Sequence, residues 1–310
     1  MTARHWHILG AGAMGCLLAA RLRAAGRPVT LLLRDPPASA NGIVSVESAT
    51  QRHDFDVHLG AAEQPGAIRH LLVATKAPQI VAALQQVAHR LQEDTQLVLA
   101  ANGMGYIEAA LAASGVNSLY CCTTTEGAYR IGALHIRHAG HGQTLFGHSG
   151  GGSPPDWYQD WQATDLQCAW LDPIEPALWH KLAINCAINP LTAEHRCPNG
   201  ALVEQPALRR QMLELCAEIS AVSLAAGYPQ TAAQIEADAL EVARKTAHNR
   251  SSMLQDVLAG RATEIDFITG HLLQVARRRG VATPHNTALY QRIKHLERGA
   301  PAAGPAPSGE

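Results

Sequence analysis

The chain has 310 residues, about twice the length of a typical domain, so two domains are expected. Hydrophobic residues make up 47% and charged ones 16%, a profile that excludes wholesale disorder. With 25 basic and 26 acidic residues interspersed and a formal charge of -1, no concentrated cationic field exists to displace counterions from a phosphate backbone. Nucleic acid is thereby excluded, and small molecules are the expected partners.

From the N-terminus, an apolar strand over Trp6–Leu9 runs into Gly10-Ala11-Gly12-Ala13-Met14-Gly15. A helix is expected over 13–25, stopping at Gly26, and a second strand over 28–33. Strands at 70–75 and 96–101 flank a helix over 78–92, and the alternation predicts a parallel sheet with crossover helices, an α/β domain. Over 119–125 and 129–147 the pattern turns to short β-rich runs between glycines, which predicts an antiparallel extension of that sheet. Residues 148–155 read as a loop. After Asp172-Pro173 the chain is almost wholly helical through Leu296, so the boundary is placed there, giving domains over 1–172 and 173–298. The Ala/Pro/Gly-rich stretch 299–310 buries little and is expected to be a disordered tail.

No apolar run approaches the length of a membrane span, and the first one is broken by glycines, so neither an export signal nor a membrane partner is expected. The seven cysteines form no C-x-x-C pair, and Cys121 and Cys122 are adjacent, which points to a reducing cytoplasm. The 16 histidines are scattered singly; the close pairs His5/His7 and His138/His141 lack companion ligands in sequence, and no metal is expected.

The glycine run matches G-x-G-x-x-G, directly after a strand and at the opening of a helix. In that setting the first glycine permits the tight turn, the second lets a pyrophosphate approach the backbone, and the third allows close helix–strand packing. The phosphates would rest on free N–H groups at the positive end of the helix dipole. About 20 residues on, where an acidic side chain would accept the ribose hydroxyls of NAD, stands Arg34, whose guanidinium suits the 2′-phosphate of NADP. Asp35 beside it favours the opposite choice. Lys76 and Asn102 each follow a strand, at the carboxyl ends where ligands bind in open α/β sheets; a solvated lysine and an Asn-Gly turn are the plainer readings.

In the second domain, residues 177–189 are apolar nearly all round except for Lys181, Asn185 and Asn189. At a spacing of four these three drift by about 40° per step, so they form one polar stripe on a buried helix. A hydrogen-bond network would account for the asparagines; it accounts less well for the lysine, which is rarely buried without a partner. Further on, Ser252 to Gln255 and Thr263 to Asp266 each fit a capping box, and Glu264 would suit a helix N-terminus by charge alone.

Together with Thr75-Lys76-Ala77, Asn102-Gly103-Met104-Gly105, Cys197-Pro198-Asn199-Gly200, Ser251-Ser252-Met253-Leu254-Gln255-Asp256 and Thr263-Glu264-Ile265-Asp266, these segments resemble the ketopantoate reductase family from Trp6 to about Leu296. The resemblance implies a Rossmann-type domain followed by an all-α domain. It implies NADPH-dependent reduction of 2-dehydropantoate to (R)-pantoate, on the route to pantothenate and coenzyme A. By it Lys181 is the general acid and Glu264 assists at the site and the cofactor. Gly10, Ala11, Gly12, Ala13, Met14, Gly15, Arg34, Lys76, Asn102 and Ala128 contact NADP. Asn102, Lys181, Asn185, Asn189, Asn199 and Ser252 hold the substrate. One departure is Arg196, in the segment before Asn199, where the family often has asparagine. A reductase of another branched 2-oxo acid and a non-catalytic NADP-sensing protein stay open beside this reading, and so does a homo-oligomer.

Overall fold

The computed structural model describes residues 3–299. They form two compact units, one running through Ala101 and again over Tyr106–Glu175, the other comprising Asn102–Gly105 and the chain from Pro176 on.

In the first unit, β1 (Trp6–Leu9), α1 (Ala13–Ala24), β2 (Val29–Leu33), β3 (Asn41–Glu47), β4 (Arg52–Ala61), β5 (Ile68–Val73), α2 (Ile80–Val87), β6 (Leu91–Leu99), α3 (Ile107–Ser114), β7 (Leu119–Thr124), β8 (Gly127–Arg130), β9 (His135–Gly140), β10 (Gln143–His148), α4 (Tyr158–Gln162) and β11 (Gln167–Trp170) follow in order. One sheet runs β11-β10-β7-β6-β5-β1-β2-β4-β3-β9-β8. Its centre, β7 through β4, is parallel throughout. The apolar runs of β1, β2 and β5 suit strands covered on both faces.

Helix α1 owes its start to Gly12 and its length to alanine, leucine and arginine, and it buries Cys16, Leu17, Leu18, Ala19, Ala20 and Leu22. Behind the sheet an aromatic group fills the space: Trp6 meets Trp157 and Trp161 edge-on at 5.5 and 5.3 Å, and Phe146 lies 5.1 Å from Trp161. The fully buried Asp160 accepts from Trp6 Nε1 at 3.0 Å and pairs with Arg4 and Arg27, so its charge is compensated where it lies.

Several expectations are corrected here. Strand β7 pairs in parallel with β6, and antiparallel pairing at that edge begins only with β10. The hairpin β8–β9 lies at the other edge, against β3. Strands β3 and β4 form an unpredicted antiparallel hairpin. The helix expected over 78–92 is the single α-helix α2 between 3-10 turns at Ala77–Gln79 and Ala88–Arg90, with Leu91 already in β6.

The second unit is helical: α5 (Glu175–His195, its first residue counted with the first unit), α6 (Ala201–Glu204), α7 (Pro206–Ala225), α8 (Pro229–Lys245), α9 (Ser252–Leu258), α10 (Thr269–Arg279) and α11 (Pro284–Gly299). Prolines open α7, α8 and α11, where the missing N–H costs nothing. Helix α5 buries Leu182, Ala183, Cys186, Ala187, Ile188 and Leu191 in one core with side chains of α7, α8 and α10. Of the expected tail, Gly299 is the last residue of α11 and the rest lies outside the described residues.

Candidate active site

At β1 the strand order reverses: the chain leaves β1 for β2 on one side and pairs β5 on the other. Such a switch point opens a crevice at the carboxyl ends of the strands. The three glycines there differ in what their missing side chains allow. Gly10, at φ 110°, would drive a Cβ to 2.9 Å from the backbone of Ala74 and Thr75. At Gly15 a Cβ would stand 1.9 Å from the Gly10 carbonyl oxygen, so only glycine lets α1 close on β1. Gly12 faces nothing within 4 Å.

As N-cap of α1 it offers no side-chain acceptor, and the first turn holds no acid. The N–H groups are therefore left to an anion from outside the chain. Thr75, beside Gly10, has a buried hydroxyl with no hydrogen-bond partner among the described residues, which a bound polar group would satisfy. A dinucleotide phosphate fits this donor set.

Arg34 follows β2 and is exposed, and Lys76 follows β5 in extended conformation ahead of a 3-10 turn, half-buried. Ala128, on β8, packs on the same core as Ala11, Ala13 and Met14.

Asn102 belongs by its contacts to the second unit. The loop Asn102–Gly105 is docked there by a bond from Met104 N to the Phe267 carbonyl at 2.9 Å, with Gly103 at φ 84° against Phe267 and Gly105 at φ 87° against His271. This brings Asn102 Nδ2 to 3.1 Å from Glu264 Oε2. Glu264 is 7% exposed and stands in a turn, not in the first turn of a helix: α10 begins only at Thr269 and has no acid in its first turn. The box expected at Thr263 is accordingly absent; Thr263 Oγ1 accepts from Ile265 N instead, and Asp266 bonds to Tyr290.

On α5, Lys181 and Asn185 are half-buried and Asn189 is buried, in the stripe their spacing predicts. Asn199 is held by its backbone N–H on the Asn249 carbonyl and by Nδ2 on Thr246 Oγ1 at 2.8 Å, while its buried Oδ1 has no hydrogen-bond partner among the described residues. Of the paired serines, Ser251 is the N-cap of α9, accepting from Leu254 N and bonding Thr192; Ser252 is exposed as the first helical residue. The expected Ser252–Gln255 box is thus replaced by a cap one residue earlier. Arg196 occupies φ 49° just after α5, a left-handed position where asparagine or glycine costs less.

One group escaped the sequence reading. His138 does have a carboxylate companion, Glu126, with both side chains buried and His141 nearby. Arg21 of α1 lies 3.1 Å from His138 Nδ1, and since a guanidinium only donates, Nδ1 accepts and the proton is on Nε2, given to Glu126 Oε2 at 2.5 Å. The imidazole lone pair then faces a cation, the reverse of what a metal ion would require. The separation of twelve positions between Glu126 and His138 hid this pairing.

Residues 6–151 match the family model described as ketopantoate reductase PanE/ApbA, and residues 173–297 its C-terminal counterpart. The chain is 37% identical over 297 residues to a 2-dehydropantoate 2-reductase of Vibrio cholerae serotype O1, covering 94% of this chain and 97% of that one. Among solved structures, 2-dehydropantoate 2-reductase from Geobacter metallireducens GS-15 superposes with TM-score 0.85 at 25% identity, covering 94% and 99% of the two chains. A D-mandelate dehydrogenase solved with NADH and anilino(oxo)acetate shares the fold, with TM-score 0.86 at 20% identity over 96% and 99%.

Proposed function

Because the chain belongs to the ketopantoate reductase family, we propose that it reduces 2-dehydropantoate to (R)-pantoate with NADPH, the reductive step toward pantothenate and coenzyme A. The cofactor, when bound, supplies the hydride that the substrate's carbonyl carbon accepts. Residues 10–15 hold its pyrophosphate on the N-terminus of α1, with Arg34 on the 2′-phosphate and Lys76, Asn102, Ala128 and Glu264 as further contacts.

As negative charge develops on the carbonyl oxygen, the Lys181 ammonium stabilises it and delivers the proton from Nζ. Asn185, Asn189 and Ser252 bind the substrate's carboxylate and hydroxyl groups, and the unpartnered Oδ1 of Asn199 accepts from a hydroxyl. Glu264, accepting from Asn102, fixes which way that amide points. In this division of labour residues 1–172 serve the cofactor and 173–298 the substrate, with Glu264 also reaching the cofactor and Asn102 serving both. The seven cysteines are unpaired, which supports a cytoplasmic setting, and no described helix is long and apolar enough to cross a membrane.

The observation that carries the reading is α5, a helix built into the core of its unit that nevertheless presents a lysine beside two asparagines. The test is NADPH oxidation with ketopantoate against a panel of branched 2-oxo acids. Ketopantoate is expected to give the highest kcat/KM. A better substrate elsewhere in the panel reassigns the specificity, and NADPH binding without turnover of any oxo acid makes the chain a sensor. Light scattering on the same preparation reads whether it is a homo-oligomer.

A further inference from the structure

Glu264 lies on a turn between α9 and α10 that has no helical ladder to hold it; within the turn its carbonyl accepts from Phe267 N and Ile268 N. Ile265 and Ile268 anchor the turn in the core and Met104 N bonds its Phe267 carbonyl, and α11 adds polar anchors on both sides of Glu264. Before Glu264, the N–H and hydroxyl of Thr263 both donate to Glu297 Oε1, at 2.8 and 2.7 Å. After it, Asp266 accepts from the Tyr290 hydroxyl at 2.6 Å and from Lys294 Nζ at 2.9 Å. Lys294 also pairs with Glu297 at 3.0 Å, so one ammonium ties together the anchors on both sides of Glu264.

We infer that Lys294, with Asp266, Glu297 and Tyr290, is a positioning device for the reduction: it sets where the Glu264 carboxylate stands relative to Asn102. This rests on the reading of Glu264 as an active-site residue. Burial works against the Asp266 charge, but the Tyr290 and Lys294 hydrogen bonds outweigh it and hold its pKa below the ordinary carboxyl value. Burial likewise works against Lys294, and its bonds to Asp266 and Glu297 raise its pKa above the ordinary lysine value. The clamp is therefore charged on both sides at neutral pH. Because Glu264 is nearly fully buried, a slack turn leaves its carboxylate misplaced rather than rescued by water.

Steady-state kinetics with ketopantoate and NADPH test this in four proteins: Lys294→Met, Lys294→Arg, Glu264→Gln and Lys294→Met with Glu264→Gln. Displacing a reacting-site group by an ångström costs up to about a hundredfold, so Lys294→Met is expected to lower kcat by about ten- to a hundredfold. Lys294→Arg should recover most of it. If the clamp acts through Glu264, adding Lys294→Met to Glu264→Gln changes kcat by less than about twofold, because two changes in one interacting unit are not additive.

An equal fractional loss in both backgrounds overturns the inference and makes the clamp general support of the fold. Normal kcat in Lys294→Met beside an impaired Glu264→Gln removes the clamp alone. Normal turnover in Glu264→Gln removes the clamp and the role of Glu264 together. Should Lys294→Met fail to fold, Tyr290→Phe, which deletes a single hydroxyl, is read by the same scheme.

Discussion

Lys181 is the only lysine, arginine, aspartate or glutamate between Glu175 and Glu194 on α5, and its chemistry makes a sharp demand at the scale of one side chain. General acid catalysis contributes about 10²–10⁴-fold, so Lys181→Ala should lose turnover in that range while the KM for NADPH stays put. Lys181→Arg keeps the charge but not a proton that leaves readily, so it should stay impaired. Turnover within a few-fold of wild type in both variants returns the lysine to a structural role. Arg34 makes a separate demand. A charge-assisted contact is worth about 1.5–3 kcal/mol, so Arg34→Ala should raise the KM for NADPH by about ten- to a hundredfold and leave that for NADH nearly unchanged. Equal effects on the two cofactors exclude Arg34 from the 2′-phosphate.

At the scale of the strand–turn–helix element, the glycines separate fold from binding. Gly15→Ala puts a methyl where the Gly10 carbonyl already is, and should unfold the element; a well-expressed variant with wild-type melting temperature contradicts the packing. Gly12→Ala meets open space, so its melting temperature should hold, while NADPH affinity falls by about tenfold or more as the methyl occupies the anion's approach. This element was legible in the sequence because its signals are local: an apolar run, glycines at fixed offsets, helix formers after them. Other elements were not. The polar residues His53, Asp54, Asp56 and His58 masked the alternation of Phe55, Val57 and Leu59 that marks β4. Strand β7 is buried almost throughout as a strand covered on both faces should be, but its mix of Tyr, Cys and Thr hid the continuous run that would have marked it as parallel to β6. Two adjacent serines serve equally as caps on paper, and only burial selects Ser251. Glu264 fitted a helix start because Thr263 and Asp266 have the spacing of one, although both side chains turn to α11 instead. Lys181, Asn185 and Asn189 were readable as a stripe, whereas the Asn102–Glu264 bond joins residues 162 positions apart and no spacing rule reaches that far.

For the whole molecule, pH acts through histidines kept neutral. Burial, with smaller contributions from His5, Arg90 and His70, lowers the His7 pKa to about 3, and burial first of all lowers those of His5, His70 and His271. The unfolded chain takes up these protons near the ordinary histidine pKa of about 6.5 and the folded chain does not. Stability is therefore full above that pH and declines as the pH falls toward about 3, where His7 is protonated in both states. Melting temperatures between pH 7.5 and 5 should fall with acidity, and His7→Gln should flatten the slope; an unchanged slope assigns the acid sensitivity to other groups. A different consequence follows from the docking of Asn102–Gly105 on Phe267 and His271. The polypeptide passes from one unit to the other at Ala101, returns at Tyr106 and leaves again after Glu175. The units are thus not interchangeable modules: a recombination joining the front half of one relative to the back half of another at residue 175 inherits its asparagine loop from one parent and the seat for that loop from the other. Gly103 and Gly105 must descend with the Phe267 and His271 they pack against, and the four residues 102–105 belong, as heritable property, to the half of the chain that does not encode them.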